Sequence, residues 1–301
     1  MSDPLAGLAT ERSDPRYRGI DRLPTEEAAR LMNAADATVP AAVAEAIPAI
    51  AAAIDAIVDR MKRGGRLVYV GAGTSGRLAV LDASECPPTF GTDPGLVQGV
   101  IAGGPPALTR SVEGAEDDAA AGAAAMAERE VGGLDSVVGI SAGGRAPFVV
   151  GALVEAGRRG ALTVGLSCNA GTPVSAAARH AIEVVVGPEV LTGSTRLKAG
   201  TAQKLVLNMI STITMIGLGR TYGNDMIEMS AMNAKLADRA VRMVGDIAGA
   251  DPAAARSALV EADWQVKAAV LMVRRGLDAD GARALLASCG DSLDAALSAD
   301  P

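Results

Sequence analysis

The first 23 residues are polar and broken by Pro4 and Pro15, a pattern that predicts an extended arm. Pro24 opens a helical pattern in which Thr25 is placed to cap the helix and Glu26 and Glu27 suit its first turn. Within the Ala-rich stretch 39–63, Ile50, Ile54, Ile57, Val58 and Met61 fall on one helical face, and Pro48 marks a kink or a break. An alternation then begins. Short apolar runs at 66–70, 96–101, 136–140, 162–166 and 182–186 read as strands. Helical patterns fall between them, at 75–84 and over much of 107–130, with Pro147 where a further helix could start. Strands alternating with helices indicate βαβ units, hence an α/β fold with a mostly parallel sheet covered on both faces. Beyond it, long helical patterns run through Leu205, Met209, Ile210 and Met215 and over 226–244. Residues 249–252 then mark a boundary, followed by three short amphipathic patterns at 253–262, 265–274 and 282–288 with a turn at Gly276. The domains expected are an arm over 1–23, a main domain over 24–248 and a small helical domain over 249–301.

Composition narrows the function. Half of the 301 residues are hydrophobic, enough for a large core, yet only one Trp, three Tyr and two Phe are present. So few rings argue against stacking platforms for single-stranded nucleic acid. The net charge is 28 − 35 = −7, with no Lys/Arg run, which does not suit a nucleic-acid backbone. Cys86, Cys168 and Cys289 are odd in number and far apart, unlike a disulfide framework or a CxxC metal site. The N-terminus has no apolar core of a secretory signal, and no apolar run reaches about 18 residues, so a cytoplasmic protein without a membrane span is expected.

Three loops, each after an apolar strand, could hold an anion: Gly71-Ala72-Gly73-Thr74-Ser75-Gly76, Ser141-Ala142-Gly143-Gly144-Arg145 and Thr192-Gly193-Ser194-Thr195-Arg196. Glycines let backbone N–H groups approach a phosphate, the following helix directs its positive end there, and the hydroxyls add donors. In open parallel sheets such loops cluster beyond the carboxyl ends of the strands. The first resembles GxGxxG, but the next strand has no clean acidic terminus for a dinucleotide ribose, and no Gly-Lys-Ser/Thr completes a Walker A loop. Any one of these loops can also be merely a tight strand–helix turn.

With His180 the only histidine, and in a polar stretch, a Ser-His-Asp or multi-histidine metal site is improbable and acid–base work falls to carboxylates. Glu85 leads: it follows an apolar helix that Pro87 and Pro88 should end, so the helix dipole would raise its pKa toward that of a proton donor. The alternative is a solvated helix-end glutamate. Glu113, Glu116, Asp117 and Asp118 form a second cluster, in which spacing singles out none and a helix N-terminus explains all four. Cys86 has no His near in sequence and reads as a small packed residue.

The stretches GAGTSGRLAVLDASECPPTFG, IAGG with VEGAEDD downstream, TGSTRLKAGTAQKLVLNM and YGNDM closely resemble the N-acetylmuramic acid 6-phosphate etherases, a branch of the sugar isomerase (SIS) superfamily. The similarity runs from about Ile20 to the C-terminus, and DASECPP joined to the glycine loop is its specific signature. The resemblance implies an SIS-type doubly wound domain with a small C-terminal helical domain like the ubiquitin-associated ones. It implies a carbon–oxygen lyase that turns N-acetylmuramic acid 6-phosphate and water into N-acetylglucosamine 6-phosphate and D-lactate, in amino-sugar and cell-wall recycling. It makes Glu85 the proton donor to the departing lactate and Glu116 the second catalytic glutamate, in a base or assisting role. It gives the phosphate to Gly73, Thr74, Ser75 and Gly76, with Ser141, Ser194, Thr195 and Arg196 assisting. A homodimer with no metal or other cofactor is implied, with a sugar phosphate as its partner. One departure is visible: the family commonly has Ser-Gly-Arg-Thr-Pro in the second loop, where this chain has Gly143-Gly144-Arg145-Ala146-Pro147, lacking two hydroxyls. Ser141, two positions earlier, can supply one. Two other readings share the fold: a non-catalytic sugar-phosphate sensor, which needs no pair of glutamates, and an aldose–ketose isomerase, which shares C2 proton abstraction.

Overall fold

The computed structural model describes residues 7–228 and 234–299. Two compact units make up the chain, Met1–Ser84 with Gly95–Ser211 and Glu85–Pro94 with Thr212–Pro301.

In the first unit three short 3-10 turns, Ala9–Glu11, Pro15–Tyr17 and Ile20–Arg22, replace the expected extended arm. Thr10 and Tyr17 are buried, so this segment packs on the unit; residues 1–6 of the arm lie outside the described residues. Helices α1 (Thr25–Asp36), α2 (Val39–Glu45) and α3 (Ile47–Lys62) follow. Pro24, not Thr25, is the residue before the first helical turn, and Thr25 is its first member. The break in the Ala-rich stretch falls at Ala46, with Pro48 in the first turn of α3, where its missing N–H costs nothing.

Strands β1 (Leu67–Gly71), β2 (Val97–Ile101), β3 (Ser136–Ser141), β4 (Leu162–Ser167) and β5 (His180–Glu183) form one all-parallel sheet in the order β2-β1-β3-β4-β5. β3 and β4 are buried at every position, as a sheet covered on both faces requires. The connections carry α4 (Gly73–Phe90), two 3-10 turns (Pro105–Leu108 and Ala115–Asp117), α5 (Ala119–Glu128), α6 (Pro147–Arg158) and α7 (Pro173–Ala176); α8 (Lys198–Gly217) follows β5. Thus the helix expected over 107–130 is confined to its second half, and β5 sits two residues earlier than the apolar run suggested. Val68 and Val70 of β1 and Val137 of β3 pack with Met126 of α5, Phe148, Val149 and Leu153 of α6 and Val174 of α7. α3 packs against β4 and β5.

At the edge of this core Asp135 ties β3 to the start of β1. Its carboxylate accepts from the Arg66 guanidinium at 2.7 and 3.1 Å and from the N–H groups of Arg66 and Gly132. Burial pushes this carboxyl up, but those bonds and the arginine charge outweigh it and hold it below its ordinary value.

The second unit is helical: α9 (Ala234–Ala248), α10 (Pro252–Glu261), α11 (Val266–Arg275), α12 (Ala279–Ser288) and α13 (Leu293–Ser298). Four helices follow residue 251 where three were expected. The helix expected over 226–244 begins at Ala234; residues 229–233 lie outside the described residues. Leu259, Val270, Leu271, Val244, Leu286 and Leu293 share one apolar cluster. Gly276 ends α11 in the left-handed conformation at φ 66°, the turn expected there. Lys267, 6% exposed, is neutralised by Glu228 and by Asp291, whose Oδ2 lies 2.7 Å from its Nζ. Among the described residues no single helix is long and apolar enough to cross a membrane.

Candidate functional site

The sheet order reverses between β1 and β3, and that reversal point is where open parallel sheets leave a crevice beyond the strand ends. A cavity of about 390 Å³ opens there. Ala72, Gly73, Thr74 and Ser75 line it after β1; Ile140, Ser141, Ala142, Gly143, Arg145 and Ala146 line it at the end of β3 and beyond. Glu116, Thr195, Leu8 and Glu11 complete it.

The first glycine segment is tighter than a loop. β1 ends at Gly71 and α4 begins at Gly73, so Thr74 and Ser75 already belong to the first helical turn. This close join requires glycine on both sides. A Cβ on Gly76 would stand 2.5 Å from Ile101 Cγ1 and 2.7 Å from Gly71 O, and one on Gly71 would stand 2.7 Å from the backbone of Ser75 and Gly76. Strand end and helix start are thereby pressed together, and the first-turn residues Gly73, Thr74 and Ser75, whose N–H groups have no partner within the helix, line the crevice. Gly76 serves this packing and is not among the cavity residues. Ser75 is buried, and its Oγ donates to Oε1 of Gln203 on α8 at 2.9 Å.

In the second loop the Gly144 N–H donates to Ser141 Oγ at 3.1 Å, so the Ser141 hydroxyl keeps its hydrogen for another acceptor. Gly144 holds φ 69° with a Cβ position only 2.5 Å from Thr172, so this turn admits no side chain. The third loop contributes less than expected. Thr195 reaches the cavity, but Ser194 and Arg196 do not line it, and Arg196 is exposed. The start of α8 is already occupied by a carboxylate: the fully buried Glu189 accepts from the N–H groups of Lys198 and Ala199, both at 2.9 Å. No anion is needed there.

The two glutamates part company. Glu116 stands in the 3-10 turn Ala115–Asp117 on the cavity wall. It also borders a smaller cavity of about 190 Å³ that shares Ala72 and Gly73 and has Arg77 and Arg110 on its lining. Although its side chain remains accessible, partial desolvation raises its pKa above the ordinary carboxylate value, and the neighbouring Asp117 charge adds to the shift. Glu85 belongs to the second unit, is exposed and is not among the residues lining this cavity. The helix does not end at it: α4 continues through Pro87 and Pro88 to Phe90, and the Gly91 N–H still donates to Pro87 O at 3.0 Å. The helix-end argument for Glu85 therefore falls. Burial of Cys86 and Phe90 outweighs the two N–H groups lost at the prolines.

Sequence reasoning missed several residues. Glu11 and Leu8 come from the arm, where Asn169 holds Thr10 by accepting from its N–H and donating to its Oγ at 3.0 Å. Gln203 was also missed; the TGSTRLKAGTAQK stretch that contains it was the available signal. Cys168 is no nucleophile, because burial, with Glu189 adding, pushes its thiol up to about 12. Among the described residues no three His, Cys, Asp or Glu side chains are grouped to hold a metal ion. The second unit has a cavity of about 400 Å³ lined by Glu228, Trp264, Lys267 and Asp291, but its lysine is already paired with two carboxylates.

A parallel sheet with an anion-ready helix start and a hydroxyl-lined crevice at its reversal point fits the SIS class of sugar-phosphate folds. Residues 49–157 match the family described as the glucokinase regulatory protein N-terminal SIS domain. Over nearly its whole length the chain is similar to proteins named N-acetylmuramic acid 6-phosphate etherase. That of Streptomyces avermitilis is 58% identical over 297 residues, covering 99% of this chain and 96% of the relative. Those of Streptomyces coelicolor and Cronobacter sakazakii are 57% and 51% identical, covering 98% and 97% of this chain and 95% and 99% of the relatives. The chain belongs to the N-acetylmuramic acid 6-phosphate etherase family.

Proposed function

We propose that this chain is a carbon–oxygen lyase that cleaves the D-lactyl ether at C3 of N-acetylmuramic acid 6-phosphate, releasing D-lactate and N-acetylglucosamine 6-phosphate. The observation that carries the reading is the near full-length identity to etherases, together with a crevice suited to a phosphorylated sugar. The regulator and isomerase readings have no comparable support.

The phosphate sits against the first turn of α4, taking hydrogen bonds from its N–H groups and from Thr74 and Ser75, with Ser141 and Thr195 on the facing wall. Ring opening exposes the C1 aldehyde, which acidifies the C2 hydrogen. Glu116 removes that hydrogen as a proton. The electron pair forms the C2–C3 double bond as the C3–O bond breaks, and the lactyl oxygen takes a proton from an acid, the role that the family resemblance gives to Glu85. Water then adds across the double bond, its oxygen at C3 and a proton at C2. A base whose pKa is raised toward neutrality shares the proton more evenly with a weakly acidic carbon, and the surroundings of Glu116 support that role. The scheme calls for no metal or redox group. The protein acts as a cytoplasmic homodimer, with the first unit as the sugar-phosphate domain and the second as the appended helical one.

The test is release of D-lactate from the muramyl 6-phosphate sugar by purified protein in the presence of a chelator. Turnover is expected in the parent and a loss of about 10²–10⁴-fold in Glu85→Gln and in Glu116→Gln, with melting unchanged. No D-lactate from the parent protein would reject the reading; normal turnover in either variant would reject that residue's role.

A further inference from the structure

The Ser75 hydroxyl points the wrong way for its proposed task. It spends its hydrogen on Gln203 Oε1 at 2.9 Å, which leaves only lone pairs for the crevice. A phosphate oxygen needs a donor there, because lone pair against anion is repulsive. On the same amide, Gln203 Nε2 is buried with no hydrogen-bond partner, and the residue is 1% exposed. A buried donor without an acceptor is costly, and few survive without a reason.

One rotation gives Nε2 a partner and frees the Ser75 hydrogen. Turning the amide by half a turn about its last bond puts Nε2 where Oε1 stands. Nε2 then donates to Ser75 Oγ, and the Ser75 hydrogen is released toward the crevice. The direction of the hydrogen bond reverses while the heavy atoms stay nearly in place. An arriving anion rewards only the reversed form, so binding selects it. We propose that Gln203 is a positioning residue for the anion site: its amide is a two-position device that aims the Ser75 hydroxyl at the phosphate of the bound sugar. Gln203 touches Ser75 but does not line the cavity, so it acts through that serine. This inference rests on the sugar-phosphate reading of the crevice.

A double-mutant cycle tests it with N-acetylglucosamine 6-phosphate as the titrated probe and N-acetylglucosamine as the uncharged control. Gln203→Leu is expected to weaken the phosphorylated probe about tenfold, the scale of one hydrogen bond to a charged group. It should raise KM for the muramyl substrate similarly with kcat little changed. In Ser75→Ala, adding Gln203→Leu should cost nothing more, because the residue to be aimed is gone. Gln203→Glu supplies a second readout. Its carboxylate can only accept, so affinity is expected to fall as pH rises through that group's titration and to return as it is protonated. Additive losses in the cycle, equal losses for the charged and uncharged sugars, or an affinity in Gln203→Glu whose pH course matches the parent would each overturn the proposal. Binding reads the cycle independently of turnover: a protein that binds the probe with non-additive losses yet releases no D-lactate would retain this inference and lose the etherase one.

Discussion

Glu116 and its neighbour Asp117 make a prediction at the scale of single groups. Partial desolvation raises the Glu116 pKa, and the Asp117 charge raises it further. A base works deprotonated, so kcat/KM should fall as pH drops through that raised value. Asp117→Asn removes only the smaller contribution. Its acidic limb is therefore expected to move to lower pH while remaining above an ordinary glutamate's position, a shift read directly from the pH dependence of D-lactate release. A limb that stays where the parent's lies would mean that another group governs it. Asp82 shows the same physics put to a different use. Burial raises its pKa although Asn208, Tyr69 and Ser211 hydrogen-bond it. Stability linked to Asp82 is fully present below its unfolded value and declines as pH rises through the folded one.

At the scale of elements the site depends on how closely α4 starts behind β1. Gly76→Ala would drive a methyl into the Ile101 side chain and the Gly71 carbonyl, and the carbonyl cannot yield without moving strand or helix. We expect a loss of about 1–3 kcal/mol in denaturant unfolding, typical of overpacking, together with weakened sugar-phosphate binding. Gly73 has open space around its Cβ position, but its φ of 52° is left-handed, so Gly73→Ala is expected to cost about 1–2 kcal/mol in denaturant unfolding. α4 also shows where a local rule gives way. Two adjacent prolines normally end a helix, yet this one runs on to Phe90 because Cys86 and Phe90 are buried beyond the local signal. The start of α8 teaches the reverse lesson: Glu189 already satisfies the N–H groups that the third loop was expected to offer an anion.

At the scale of the whole molecule, the two units hold themselves together by different means. The first relies on a sheet buried on both faces. The second relies on small helices around Leu259, Val270 and Leu271, with the buried Lys267 ammonium held by Glu228 and Asp291. Among the described residues, Lys267→Ala would leave Glu228, itself largely buried, facing only the more distant Arg220 at 3.4 Å. A loss of about 3–5 kcal/mol in the unfolding of this unit is expected, the usual consequence of stranding one member of a buried pair. Calorimetry of the full chain reads it, and an unchanged transition would show the pair to be dispensable.

The strand–helix alternation, the Ser75 segment and the family motifs were all legible in the sequence, because periodicity and glycine spacing are local properties of a chain. So was the acidic cluster that contains Glu116, although the spacing did not favour it over Asp117. Only the tertiary structure decided which residues share the crevice. Leu8 and Glu11 reach it because Asn169 holds the arm more than 150 positions away, and Gln203 meets Ser75 across a separation of 128. Such pairings follow from strand order and helix packing, which bring distant segments together by burying apolar surface, and no local pattern encodes the address of a partner so far along the chain.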